Sequence, residues 1–139
     1  MDRDAYFWQV QDGRMPPPNV AATLGIKFNA VDADAGSIEV QFDAKPEFTN
    51  PAGNIQGGFL AAMLDDTMGT ALAATLAGGE FAPTINLNVQ FFNPARPGAI
   101  VGKGRVVKRG KEICYLSGEL LQQGKVVAAA TAAAIIRTL

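Results

Sequence analysis

Residues 50–79 read Asn-Pro-Ala-Gly-Asn-Ile-Gln-Gly-Gly-Phe-Leu-Ala-Ala-Met-Leu-Asp-Asp-Thr-Met-Gly-Thr-Ala-Leu-Ala-Ala-Thr-Leu-Ala-Gly-Gly, and this stretch decides the fold. It predicts one long helix that follows Gly57-Gly58 and ends near Gly78-Gly79, because glycine suits a left-handed helix cap. The large apolar side chains of this helix spread around most of its circumference: Phe59, Leu60, Met63, Leu64, Met68, Leu72 and Leu76. A helix that is apolar on nearly all sides is buried.

Two adjacent acids, Asp65 and Asp66, lie within this apolar helix. Residues 59–79 contain no Lys, Arg or His that could pair with either one. Burying a carboxylate is costly unless it is paired or hydrogen-bonded. A catalytic role is therefore the leading explanation for at least one of them. The same acids argue against a membrane span over residues 59–77, since each would cost about 2.5–3.5 kcal/mol at the bilayer centre.

The rest of the chain predicts an antiparallel sheet. A short helix or arm over residues 2–14 is ended by Pro16–Pro18, and two-residue alternation predicts strands on both sides of the central helix. The predicted strands cover residues 25–31, 38–43, 84–91, 100–108, 112–121 and 125–137. In the strand predicted over residues 84–91, Ile85, Leu87, Val89 and Phe91 are expected on one face and Thr84, Asn86, Asn88 and Gln90 on the other.

The order of two strands, one long helix and four strands predicts an α+β fold in which a curved antiparallel sheet wraps around the helix. We expect an arm over residues 1–19 and one domain over residues 20–139. A single sheet leaves part of the helix uncovered, so the pattern also predicts dimerisation.

Composition excludes several classes of function. Twelve basic and thirteen acidic residues give a net charge of −1, so no nucleic-acid surface is expected. The chain has no histidine, which removes Ser-His-Asp and Cys-His systems and most zinc or iron sites. The single cysteine, Cys114, alternates with Leu116 and predicts a buried thiol. With no apparent signal peptide, a lone cysteine favours a cytoplasmic location.

Four motifs occur in order along the chain: Phe48-Thr-Asn50, Gln56-Gly57-Gly58, Asp65, and Thr84-Ile-Asn-Leu-Asn-Val-Gln-Phe-Phe followed by Asn93-Pro94-Ala95. Together they resemble the hotdog-fold acyl-CoA thioesterases of the phenylacetate-degradation type. The resemblance covers roughly residue 25 to the C-terminus. That family commonly has His-Gly-Gly where this chain has Gln56-Gly57-Gly58. It implies a hotdog fold, an acyl-CoA substrate and, by its spacing from the glycine pair, Asp65 as the catalytic carboxylate.

The chemistry of these residues suits thioester hydrolysis. The N–H of Gly57, at a helix start, can polarise a thioester carbonyl; the alternative is that Gly57 and Gly58 only allow a tight turn and close packing. Asp65 can act as general base or as nucleophile, and its alternative is a structural acid at a dimer interface. Asp66 lies about 100° around the helix, which favours a structural role.

Gly57 and Asp65 are eight residues apart, about 12 Å along a helix. A reacting carbonyl needs both groups within about 3–3.5 Å. If both residues act on one thioester, they must therefore come from two subunits with antiparallel helices, as the resemblance also implies. A homodimer is the minimal expected unit, and a homotetramer is the expected assembly.

Further candidates have open alternatives. Asn50 can donate to the carbonyl or hold water, or form a turn; Gln56 can support the thioester or cap the helix. Thr84 can orient water or Asp65, or simply face solvent. Gly58, Phe59, Met63 and Met68 are candidates for the acyl pocket, although core packing is the default explanation for the last three. Basic residues that can meet coenzyme A phosphates or serve solubility are Arg96 and Arg109, with Arg105, Lys108 and Lys111.

The sequence thus predicts an acyl-CoA thioesterase that needs no metal or cofactor. The alternative is a non-catalytic hotdog protein that binds or senses acyl-CoA.

Overall fold

The computed structural model describes residues 1–139 as an α+β fold. Six antiparallel strands form one sheet in the order β1-β2-β5-β6-β7-β4, and one long helix packs against it, which confirms the predicted hotdog architecture. The helices are α1 (Tyr6–Gln11), α2 (Asn19–Leu24) and α3 (Gly57–Ala73). The strands are β1 (Lys27–Asp32), β2 (Ser37–Ala44), β3 (Glu80–Phe81), β4 (Thr84–Phe91), β5 (Gly98–Arg109), β6 (Ile113–Gln122), β7 (Lys125–Ile135) and β8 (Arg137–Thr138).

Helix α3 rests on a floor of small residues in the sheet. A Cβ added at Gly104 would lie 2.9 Å from the Thr67 carbonyl oxygen, and one added at Gly118 would lie 2.8 Å from Met68 Cγ. Thr67 is fully buried against this floor, and its hydroxyl donates to the Met63 carbonyl. Glycine at these sheet positions therefore allows the helix backbone to approach closely.

The alanines of β7 extend the same floor. Ala128, Ala130, Ala132 and Ala134 are all buried, while the residues between them are more exposed. This two-residue alternation, with pairing to β6 on one side and β4 on the other, confirms the strand predicted here despite its helix-favouring alanines. Tertiary hydrogen bonding overrides the intrinsic propensity of alanine.

The ends of several elements differ from the sequence prediction. Helix α2 was not predicted, and it ends where Gly25 adopts a left-handed conformation with φ of 66°. Helix α3 ends at Ala73 rather than near Gly78, and the Trp8 indole N–H donates to the Ala74 carbonyl just beyond its end. The predicted strand over residues 125–137 is divided into β7 and β8, and β8 pairs with β3 in a separate small sheet.

Strand β4 departs from strict alternation at its first residue. Thr84 pairs with Ala134 and Asn86 pairs with Ala133, so Ile85 forms a bulge. Directly paired residues share a face of the sheet. Thr84 therefore points to the same side as Leu87, toward α3, and the expectation that Thr84 lies on the opposite face from Leu87 is corrected.

Strand β4 is also an edge of the sheet, and its apolar side chains are open to solvent in the protomer. Ile85 is 56% exposed and Phe91 is 54% exposed. An edge strand of eight residues with exposed apolar side chains is a surface for pairing with another strand.

No helix in the structure is both long enough and apolar enough to cross a membrane. The division into an arm over residues 1–19 and a domain over residues 20–139 stays a prediction.

The glycine floor makes a prediction about stability. Gly104→Ala should lower the free energy of unfolding by about 1–3 kcal/mol, because the added methyl group meets helix backbone rather than a side chain that can move. Urea denaturation measures this, and Gly69→Ala is the control, since a Cβ there meets open space. Equal stability of Gly104→Ala and the wild type would contradict close helix–sheet contact at this point.

Candidate functional site

The first turn of α3 presents free backbone donors. Gly57 is the first residue of the helix, and neither its N–H nor that of Gly58 has an acceptor within the protomer. Neither glycine has a positive φ, so a tight turn does not explain them, and close packing stays the alternative explanation for Gly57. A Cβ added at Gly57 would lie 3.1 Å from Phe91 Cζ, whereas one at Gly58 would meet nothing within 4 Å.

The loop before α3 orients the amide of Asn50. Its Oδ1 accepts the N–H groups of Ala52 and Asn54 at 3.0 and 3.1 Å. Since the oxygen is occupied by backbone donors, the Nδ2 amide of Asn50 is left as a free donor. Asn50 therefore does form a turn, and these two hydrogen bonds fix the side chain while its NH₂ group stays unpaired. We call Asn50 and Gly57 the carbonyl site.

A surface cavity of about 330 Å³ contains the carbonyl site. Its polar lining comes from Asn50, Asn54, Asn93 and Gly57, and the rest of its wall is apolar: Ile55, Leu60, Phe91, Phe92, Pro94 and Ala95. A larger hollow of about 670 Å³ lies across β1, β2, β5, β6 and β7, and it contains none of the residues predicted for catalysis. Chemistry rather than size therefore identifies the smaller cavity as the candidate site.

Asp65 is held by Thr84. The Thr84 hydroxyl donates to Asp65 Oδ1 at 2.7 Å, and both side chains are half-buried. The bulge at Ile85 makes this contact, because it turns Thr84 to the helix side of the sheet. The other carboxylate oxygen of Asp65 has no hydrogen-bond partner in the protomer. We call Asp65 and Thr84 the carboxylate site.

Asp66 has a different environment. It lies about 100° around α3 from Asp65, away from Thr84. Its Oδ2 is buried with no hydrogen-bond partner. Burial, assisted by the neighbouring charge of Asp65, raises the pKa of Asp66 to about 6. A carboxylate without a donor in a buried position opposes folding once it is ionised.

The other predicted pocket residues have mixed placements. Met63 and Met68 are fully buried in the core, so packing against the sheet accounts for both. The Phe59 ring stacks on Phe48 with centroids 4.2 Å apart. Gln56 is exposed and makes no capping hydrogen bond with its side chain, so the capping alternative does not explain it.

The two leading basic candidates lie at different places. The Arg109 guanidinium donates to the Thr75 carbonyl at 2.9 Å and lies 3.8 Å from Glu80, so it is engaged near the C-terminal end of α3. Arg96 is exposed next to Ala95 in the cavity wall, and the Gln122 amide holds its backbone N–H and carbonyl at 2.8 and 2.7 Å. Contact of either arginine with coenzyme A stays a prediction.

Sequence reasoning missed two groups that line the cavity. Phe91 was assigned only to a strand face, and Asn54, whose Oδ1 is buried without a partner, was not singled out. The signal for Phe91 was its position at the end of the predicted edge strand. Nothing in the sequence distinguished Asn54 from other loop asparagines.

The chain is similar to known proteins in both sequence and structure. The family model described as "Thioesterase superfamily" matches residues 52–129. Human acyl-coenzyme A thioesterase 13 is 30% identical over 113 residues, which cover 79% of each chain. A phenylacetic acid degradation-related protein from Ralstonia eutropha JMP134 is 45% identical, with a TM-score of 0.92 over 94% of this chain and 98% of that one. The E. coli PaaI protein shares the fold, with 22% identity and a TM-score of 0.80 over 93% and 91% of the two chains.

The environment of Asp66 predicts a pH dependence of stability. The unfolded chain loses this proton near pH 3.8 and the folded chain near pH 6, so stability should fall as pH rises between those values. Asp66→Asn should remove that fall and raise the free energy of unfolding at pH 7.5 by up to about 3 kcal/mol. Urea denaturation at pH 4.5, 5.5 and 7.5 measures both effects, with exposed Asp43→Asn as the control. An unchanged pH profile in Asp66→Asn would show that this carboxyl group is not the cause.

Proposed function

The chain belongs to the thioesterase superfamily, and we propose that it hydrolyses an acyl-CoA thioester to a free acid and coenzyme A. The relative named acyl-coenzyme A thioesterase 13 supports this substrate class. The observation that carries the proposal lies along edge strand β4. Its first residue, Thr84, bonds Asp65 of the carboxylate site, and its last residue, Phe91, contacts Gly57 of the carbonyl site.

This placement supports a site shared by two copies of the chain. A two-fold axis across the middle of β4 would pair the strand with its copy in antiparallel fashion. Such pairing exchanges the two ends of the strand. It would bring the carboxylate site of one copy next to the carbonyl site of the other, and it would cover the exposed Ile85 and Phe91 side chains. A homodimer is therefore the proposed functional unit, and assembly into a tetramer stays a prediction.

In the proposed reaction, the thioester carbonyl oxygen accepts hydrogen bonds from the Gly57 N–H and the Asn50 amide. These donors stabilise the negative charge that develops on that oxygen during attack. The position of Gly57 at the N-terminus of a 17-residue helix adds the positive end of the helix dipole. Both donors are preorganised, because the loop fixes the Asn50 amide and the helix fixes the N–H.

Asp65 of the second copy supplies the attacking group. As general base, it takes a proton from water while the water oxygen bonds to the carbonyl carbon, and that proton then passes to the departing thiolate. As nucleophile, it forms an anhydride that water hydrolyses. Thr84 positions the carboxylate in either route. Neither route draws on a metal or a cofactor, and both remain open.

Substitution of the two adjacent acids tests the assignment. Asp65→Asn should lower kcat by about 10²–10⁴-fold, because the amide is neither a base nor a nucleophile. Asp66→Asn should keep kcat within about threefold of wild type and serves as the matched control one position along the helix. Thiol release from a panel of acyl-CoAs measures both variants. Acyl-CoA binding by wild type without any thiol release would support the non-catalytic alternative.

Subunit mixing tests the shared site. Gly57→Pro removes the N–H donor at a helix position that tolerates proline, and Asp65→Asn removes the attacking group. Equal mixing and exchange of the two inactive variants should restore about a quarter of wild-type activity, since half of the dimers regain one of two sites. Gly57→Ala, which keeps the N–H, is the control for the added carbon atoms. No recovery after verified exchange would place both groups in one protomer.

A further inference from the structure

The ring of Phe91 reaches the donor residue of the carbonyl site end-on. An ideal Cβ on Gly57 would lie 3.1, 3.3 and 3.6 Å from Phe91 Cζ, Cε1 and Cε2. The tip of the ring therefore points at the first residue of α3. Phe91 pairs across the sheet with Ala128, whose small side chain leaves room for the ring to extend toward the helix.

Core packing does not account for this aromatic side chain. Phe91 is 54% exposed in the protomer, although it lines the cavity that holds Asn50 and Gly57. Smaller apolar side chains occupy the buried part of the same cavity wall, including Leu60 and Ile55. The ring lines the cavity beside Gly57, the residue that carries the backbone donor, so a ligand seated on that donor would lie next to the ring.

The geometry limits what can bind beside the donor. A carbonyl oxygen that accepts from the Gly57 N–H at about 2.9 Å brings the carbonyl carbon and both its substituents within about 5–6 Å of that nitrogen. Phe91 Cζ, 3.1 Å from an ideal Cβ on Gly57, lies within the same range of that nitrogen. One substituent of the carbonyl carbon is the sulfur, and the other is the first carbon of the acyl chain. The apolar cavity wall suits the acyl chain rather than the amide-rich arm of coenzyme A.

We propose that Phe91 is a specificity-determining residue that selects acyl groups with an unbranched CH₂ next to the thioester carbonyl. A methyl branch or a ring attached directly to the carbonyl carbon would collide with the Phe91 ring tip when the carbonyl oxygen is seated on Gly57. Straight-chain acyl and arylacetyl thioesters fit, whereas α-branched acyl and aroyl thioesters do not. This inference rests on the proposed thioesterase activity.

Two isomeric substrates test it, because butyryl-CoA and isobutyryl-CoA have the same composition and differ in whether the fourth carbon extends the chain or branches it next to the carbonyl. The wild type should prefer butyryl-CoA in kcat/KM by about 10–200-fold, the range expected for one misplaced methyl group. Phe91→Ala should reduce that preference at least tenfold, mainly through a higher rate on isobutyryl-CoA. Phe91→Leu should give an intermediate ratio, and it preserves more of the apolar surface of β4.

Ile85→Ala is the matched control, since Ile85 lies on the same edge strand, is similarly exposed at 56%, and does not line the cavity. It should leave the substrate ratio unchanged even if dimerisation weakens. Phe91 variants that lose both activities equally, or that keep the wild-type ratio, would overturn the inference while leaving the proposed function intact. A wild type that hydrolyses no acyl-CoA would instead remove the proposed function, and this inference with it.

Discussion

The close contact between α3 and the sheet is the constraint on which the rest of the structure depends. The Thr67 hydroxyl lies against Gly102, the Thr67 carbonyl lies against Gly104, and Met68 lies over Gly118. Side chains of ordinary size at these positions would lift the helix away from the sheet. The alanines of β7 continue this floor toward the edge strand. As a result, the functional groups of the helix lie within hydrogen-bonding reach of side chains on the sheet.

That proximity is what gives Asp65 a partner. The sheet edge brings Thr84 beneath the helix, and one extra residue in the strand turns its hydroxyl to the correct side. Without the bulge, Thr84 would face away from α3, and Asp65 would have no hydrogen-bond donor in the protomer. β-Bulges are frequent next to active sites for this reason, since they redirect a single side chain without moving the strand.

The adjacent acids show how position on one helix separates two chemical roles. Asp65 faces the edge strand and gains a donor, whereas Asp66 is buried with an unpartnered oxygen and a raised pKa. The stability lost by burying Asp66 must be offset by the apolar packing of the same helix, including Leu64 and Leu72. Edge strand β4 also combines two features. Its first and last residues lie beside Asp65 and Gly57, and it exposes the apolar side chains of Ile85 and Phe91.

The sequence alone was sufficient for the architecture and for naming the candidate residues of the site. The apolar helix after Gly57-Gly58 and the alternating strands predicted a helix wrapped by an antiparallel sheet, since periodicity is written directly in residue order. The lack of a counter-charge in residues 59–79 singled out Asp65 and Asp66 together, and the resemblance to the thioesterase family selected Asp65 between them. Other features depended on contacts between distant residues. The bulge at Ile85 is set by pairing with β7, the orientation of the Asn50 amide by a folded loop, and the approach of Phe91 to Gly57 by the seating of α3 on its glycine floor. Each of these features is a contact between residues that are far apart in the sequence, so it is defined only in the packed tertiary structure.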